Sequence, residues 1–188
     1  MGTEASSARG YQSSWVLNAG TMLRIVLTPI VMALLLHDGT EGIACVLFVV
    51  AAATDWFDGY FARKWGVSTT LGSFLDTTAD KLLVTGVLVA LVAAERVSPW
   101  IAVIIIGREI VILGLRGVVA VDGTVMKASA MARVKTFVQM GAIALAIVRP
   151  DVIVAGAYID EWAMLAATVI TVTTAWDYLR NFAGALRS

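Results

Sequence analysis

Residues 55–80 read DWFDGYFARKWGVSTTLGSFLDTTAD, which sets four carboxylates, an arginine and glycines inside an otherwise apolar chain. Asp55 and Asp58 are three apart, and Asp76 and Asp80 are four apart, so on helices each pair shares one face. Gly72 stands four before Asp76 and extends that stripe. Residues 64–71 form a short polar connection between the pairs. The spacing predicts two antiparallel helices whose carboxylates meet at one end. Carboxylates in one place repel each other and are costly to desolvate, so a positive charge must join them. Hard divalent cations take oxygen ligands, and Mg²⁺ typically joins carboxylates to substrate phosphates. The stretch contains no His or Cys, which argues against zinc. One such Asp would read as a solvated acid at a loop end; four at helical spacing do not.

The surrounding chain has 188 residues, of which 59% are hydrophobic and 15% charged. Mean hydropathy is +0.84, far too apolar for an ordinary soluble domain. A formal net charge of zero lacks the basic excess of a nucleic-acid binder. The single cysteine, Cys45, precludes a disulfide framework within the chain. Residues 1–15 are polar and lack the apolar core of a cleaved signal peptide. Residues 1–14 are expected to be a flexible tail, and residues 13–20 a short interfacial helix carrying Trp15.

Six apolar segments follow, each near the ~20 residues that span a bilayer. They run from Met22 to Leu36, Gly42 to Arg63, Leu71 to Ala94, Trp100 to Val119, Val134 to Val148 and Trp162 to Leu179. The expected fold is all-α: a single polytopic membrane domain over residues 1–188, with six transmembrane helices and the interfacial helix. Trp15, Trp65, Trp100, Trp162 and Trp176 fall near the expected interfaces. Of the 14 Lys and Arg residues, all but Arg96 and Arg149 fall on one side of this arrangement. The positive-inside bias then predicts a multi-pass protein of the cell (inner) membrane, with the acid stretch and both termini cytoplasmic. Lys81 and Arg108 lie slightly within expected spans, where ionisable groups are expensive and tend to mark function. Arg108 in particular is expected to face the bundle interior.

The stretch at 55–80 resembles the signature of the CDP-alcohol phosphotransferase family, D-x2-D-G-x2-A-R-x8-G-x3-D-x3-D. Asp55, Asp58, Gly59, Ala62, Arg63, Gly72, Asp76 and Asp80 fill every fixed position. The resemblance implies that a CDP-linked lipid donates its phosphatidyl group to an alcohol and that CMP leaves. It implies one or two Mg²⁺ (or Mn²⁺) ions held by Asp55, Asp58, Asp76 and Asp80, with Asp80 also taking the proton of the attacking hydroxyl. Gly59 would let the nucleotide approach the backbone, and Arg63 would pair with phosphate oxygens. Asn18, Thr21 and Thr69 are further nucleotide-binding candidates. A homodimer is implied as well.

The acceptor is read from GREIVILGLR at 107–116 and KASAMARVKT at 127–136. Both resemble the branch of the family that makes phosphatidylglycerol phosphate from CDP-diacylglycerol and sn-glycerol 3-phosphate. Asn18 and Leu23–Arg24 resemble that branch's opening motif, although Ala19–Gly20 departs from its usual Pro-Asn. A doubly charged acceptor phosphate needs cations, and Arg108, Arg116 and Lys135 are the residues assigned to it. Lys127 and Arg133 read equally well as a basic loop attracting anionic lipid. Competing acceptors are inositol phosphate, serine and phosphatidylglycerol. A competitor of another class is a small divalent-ion transporter, but its acids would have to line a path across the bilayer, whereas these sit at one level.

Overall fold

The computed structural model describes the backbone of residues 20–65, 70–121 and 130–185, and the side chains of residues 20–54, 74–118 and 134–180. The expected flexible tail at 1–14 and the bulk of the expected interfacial helix at 13–20 lie outside the described residues. Helix α1 runs through 20–35. It is followed by α2 (Glu41–Trp65), α3 (Thr70–Ala93), α4 (Pro99–Val121), α5 (Ala130–Val148) and α6 (Ile159–Ala185). The described fold is therefore helical, as expected. Its one departure is a hairpin of β1 (Ile153–Val154) and β2 (Ala157–Tyr158), paired Ile153 with Tyr158 and Val154 with Ala157. Strands of two residues are too short to show an alternating pattern.

One compact unit ends at Ala90 and a second begins at Leu91. In the first, α1 buries Leu27, Val31 and Leu35, a stripe with a four-residue period. Helix α2 buries Ala44, Phe48 and Ala51, and α3 buries Ala79, Leu83 and Val87. Helices α1 and α3 come close at Gly86. A Cβ there would lie 2.7 Å from Thr28 Cγ2 and 2.9 Å from Met32 Sδ. Absence of a side chain at this one position lets the two backbones approach.

In the second unit α6 packs against both α4 and α5. Helix α4 buries Ala102, Ile105, Glu109 and Ile112; α5 buries Lys135, Gln139, Ile143 and Ile147; α6 buries Met164, Ala167, Thr171 and Thr174. Helices α3 and α5 stop at left-handed residues, Glu95 (φ 55°) and Arg149 (φ 43°). There the amides of Arg96 and Arg149 reach back to the carbonyls of Leu91 (2.9 Å) and Leu145 (2.8 Å). The same end is tied together by Arg96 Nη1 donating to Ile147 O at 2.5 Å. Arg149 Nη1 donates to Glu95 O at 3.2 Å, and the Arg149 guanidinium stands 4.6 Å from the centre of the Tyr158 ring.

Beside an apolar core, several polar groups are buried and many large apolar side chains are exposed. Arg24, Glu109, Lys135, Gln139, Asp160 and several threonines are buried, while Val46, Val103, Ile110, Phe137, Val169 and Trp176 are exposed. Among the described residues no helix is long and apolar enough to cross a membrane. The apolar runs of α3 and α4 are interrupted by Asp76, Asp80 and Lys81, and by Arg108, Glu109 and Arg116.

Candidate active site

The first site is built on α1 and α3. The contact at Gly86 brings one face of α1 onto α3, and Arg24 lies one turn before Thr28 on that face. Arg24 has no exposed surface, and its Nη2 donates to Asp76 Oδ1 at 2.7 Å. Burying a guanidinium costs several kcal/mol unless an anion meets it, so Asp76 is the condition for Arg24 being there. Thr21, one turn earlier, donates from Oγ1 to the same oxygen at 3.4 Å. Arg24 also reaches the Asp76 backbone carbonyl from Nη1 at 3.4 Å. Thr28 Oγ1 donates to Arg24 O at 2.7 Å, which fixes its own rotamer.

Two donors on Oδ1 hold the Asp76 carboxylate in one orientation, while 31% of the side chain stays exposed. Asp80 is one turn further along α3. Its Oδ2 lies 3.2 Å from Lys81 Nζ, and its side chain is 21% exposed. Both carboxylates therefore keep oxygen surface for a further ligand. Oxygen donors oriented by a neighbouring guanidinium and hydroxyl fit a hard cation such as Mg²⁺. Among the described residues no three His, Cys, Asp or Glu side chains gather as a metal site. Asp55, Asp58, Gly59 and Arg63 are on α2, with side chains outside the described residues. Asn18 and Thr69 lie outside them altogether.

The second site belongs to α4, α5 and α6. Glu109 is 6% exposed and pairs with the buried Lys135 Nζ through Oε1. Arg108 Nη1 meets the same oxygen at 3.2 Å, and Arg108 Nη2 lies 3.5 Å from Thr174 Oγ1 on α6. Among the described residues this largely buried cluster counts two cations and one carboxylate, a formal charge of +1. Helix α4 positions Arg108 and Glu109, and α5 brings Lys135 to them. Arg116 is exposed, with its guanidinium 5.8 Å from the centre of the Tyr178 ring. Arg108 and Lys135 thus come together, while Arg116 has a different partner.

Two residues of these sites had no chemical role in the sequence reading. Arg24 counted only as a basic residue on the inner side and part of an opening motif, and Glu109 only as a letter in the GREIVILGLR stretch. Each is charged within an apolar run, and Arg24 has polar Thr21 and Thr28 one helical turn to either side. That pattern marks a buried, partnered charge.

Residues 15–173 match the profile of a family described as CDP-alcohol phosphatidyltransferase. The chain is 35% identical over 187 residues to a CDP-diacylglycerol–glycerol-3-phosphate 3-phosphatidyltransferase of Bacillus subtilis (strain 168), covering 91% of this chain and 96% of that protein. Proteins of the same description from Sodalis glossinidius (strain morsitans) and Rickettsia felis (strain ATCC VR-1525 / URRWXCal2) are 42% and 32% identical. Each of those matches covers 85% of this chain, and 90% and 91% of the respective relative. With a match across both helical units and the acid signature complete at 55–80, the chain belongs to the CDP-alcohol phosphatidyltransferase family.

Proposed function

We propose that this chain transfers the phosphatidyl group of CDP-diacylglycerol to sn-glycerol 3-phosphate, giving phosphatidylglycerol phosphate and CMP in phospholipid biosynthesis. The observation that carries the acceptor assignment is the largely buried cluster of Arg108, Glu109 and Lys135, in which, among the described residues, two cations meet one carboxylate. A buried excess of positive charge favours a phosphate-bearing acceptor over a zwitterion such as serine. The relatives named for glycerol 3-phosphate favour that acceptor over inositol phosphate.

In this reading Asp55, Asp58, Asp76 and Asp80 would hold one or two Mg²⁺ or Mn²⁺ ions, whose charge would offset that of the donor pyrophosphate. Arg24 and Thr21 hold the Asp76 carboxylate in its ligating orientation. Asn18, Gly59, Arg63 and Thr69 contact the nucleotide. Arg108 and Lys135 take the acceptor phosphate; Arg116 supports them from the outer turn of α4. The acceptor hydroxyl gives its proton to Asp80, and its oxygen bonds to the phosphatidyl phosphorus. The bond from that phosphorus to the CMP oxygen breaks, and CMP leaves with the electron pair. Such a transfer needs positioning and charge neutralisation more than covalent catalysis.

The six helices are membrane-embedded in this reading, with the whole chain as one multi-pass domain of the cell membrane and its acid cluster and termini cytoplasmic. The burial pattern supports it: large apolar side chains face outward on every helix, while Arg24, Glu109, Lys135 and Asp160 are buried. The homodimer implied by the family is part of the same proposal. The test is transfer from radiolabelled CDP-diacylglycerol by purified protein in detergent, with glycerol 3-phosphate, inositol phosphate, serine and phosphatidylglycerol offered separately. Turnover with glycerol 3-phosphate that stops in excess EDTA and returns with Mg²⁺ is the expected result. Turnover with another acceptor alone would overturn the acceptor assignment.

A further inference from the structure

Buried polar atoms in a folded protein almost always find a partner. In the second helical unit, among the described residues, several do not, and all but the Tyr178 hydroxyl and the Asp160 carboxylate lie in or within one turn of one cluster. Arg108 Nε, Gln139 Oε1, Thr171 Oγ1 and Tyr178 OH are buried without a hydrogen-bond partner. Gln139 lies one turn from Lys135 on α5. Thr171 lies one turn from Thr174 on α6, and Thr174 contacts Arg108. Gln139 and Thr171 therefore each lie one turn beyond the cluster, on two helices that pack together. Asp160, also without a partner, is a separate case, about 16 Å from Thr171 along α6 at ~1.5 Å rise per residue.

Thr171 is unlike its neighbours. A buried threonine on a helix ordinarily donates back to a carbonyl one turn earlier. Thr28, Thr168 and Thr174 do so, to Arg24, Met164 and Ile170. Thr171 is fully buried and makes no such bond. Its hydroxyl is left for something else.

We infer that Gln139 and Thr171 recognise the non-reacting hydroxyl of the acceptor and so set its specificity; this rests on the acceptor reading above. A glycerol phosphate has three polar parts. The phosphate goes to Arg108 and Lys135, and the terminal hydroxyl is the one that reacts. The middle hydroxyl remains, with one proton to donate and lone pairs to offer. Gln139 Oε1 is an acceptor, and Thr171 Oγ1 is able to donate, so the pair satisfies both needs at once. One helical turn, about 5.4 Å, separates them from the phosphate-binding residues, a step suited to a three-carbon acceptor. An acceptor without that hydroxyl leaves both groups buried and unpaired, which is the strongest form of discrimination a small pocket has.

The test compares glycerol 3-phosphate with 3-hydroxypropyl phosphate, which keeps the phosphate and the reacting hydroxyl but lacks the middle one. Wild type should favour glycerol 3-phosphate in kcat/KM by on the order of 10- to 100-fold. Thr171→Val is nearly isosteric, and Gln139→Leu keeps an apolar interior. In each the preference should fall several-fold, with the KM for CDP-diacylglycerol unchanged. Thr171→Ser, which keeps the hydroxyl, should retain the preference. Variants that slow both acceptors equally, or a wild type indifferent to the missing hydroxyl, would overturn the assignment and leave those atoms to buried water. A wild type that uses neither compound would overturn the acceptor reading itself, a separable result.

Discussion

Arg24 and Asp76 pose the question of which charge serves the other. Asp76 is partly exposed and needs no partner; Arg24 is fully buried and does. The arginine is therefore the dependent structural partner, yet it determines how the carboxylate points. Arg24→Met keeps much of the volume and removes both donors. Outer partners of metal ligands are worth about 10–100-fold in metal affinity, so Mn²⁺ binding, followed by electron paramagnetic resonance, should weaken by that factor while the fold persists. Unchanged Mn²⁺ affinity would leave Arg24 a packing residue. Asp80 separates from the other proposed metal ligands by a different measurement. Asp80→Asn should lower kcat by about 10²–10⁴, the usual worth of a positioned base, while Mg²⁺-dependent binding of CDP-diacylglycerol survives in calorimetry. Asp55→Asn should lose that binding. Equal loss in both variants would make Asp80 chiefly a ligand. The helical placement of Asp76 and Asp80 was legible from spacing. Arg24 was not, because a buried arginine and a snorkelling one look the same in a string of letters; only the helix opposite distinguishes them.

At the scale of the helices, α1 and α3 are joined where Gly86 meets Thr28 and Met32. Met32 is flexible and would give way to a new side chain. Thr28 would not: it is β-branched, and its hydroxyl is bound to Arg24 O. Gly86→Val should therefore push α1 from α3, lower the thermal midpoint in detergent, and weaken Mn²⁺ binding by displacing Arg24 from Asp76. A lowered midpoint with intact Mn²⁺ affinity would show that the contact stabilises the fold without tuning the site. The helices were legible within a few residues, since apolar runs of this length have few alternatives. Their ends were less so. Helix α5 begins at Ala130, before the expected Val134, and α6 at Ile159, before Trp162. Charged and polar residues such as Arg133, Asp160 and Glu161 extend the helices beyond the apolar run that was used to find them. Gly86 itself stood inside an apolar segment with nothing in the sequence to set it apart.

For the molecule as a whole, the basic residues predict an orientation that labelling can check. With Cys45 replaced, cysteines at Gly39 and Ser98 should react with impermeant reagents from outside intact cells, and one at Lys64 should not. Reaction of position 64 from outside would reverse the orientation and move the acid cluster to the other face. The exposed apolar side chains, Ile43, Val103, Ile110, Val169 and Trp176 among them, carry a kinetic consequence. If the helices are embedded in lipid, as proposed, the enzyme meets its lipid donor in two dimensions and its water-soluble acceptor in three. Rate should therefore follow the mole fraction of CDP-diacylglycerol in the mixed micelle, falling as inert detergent is added at constant donor. The apparent KM for glycerol 3-phosphate should instead follow its concentration in bulk water and ignore the micelles.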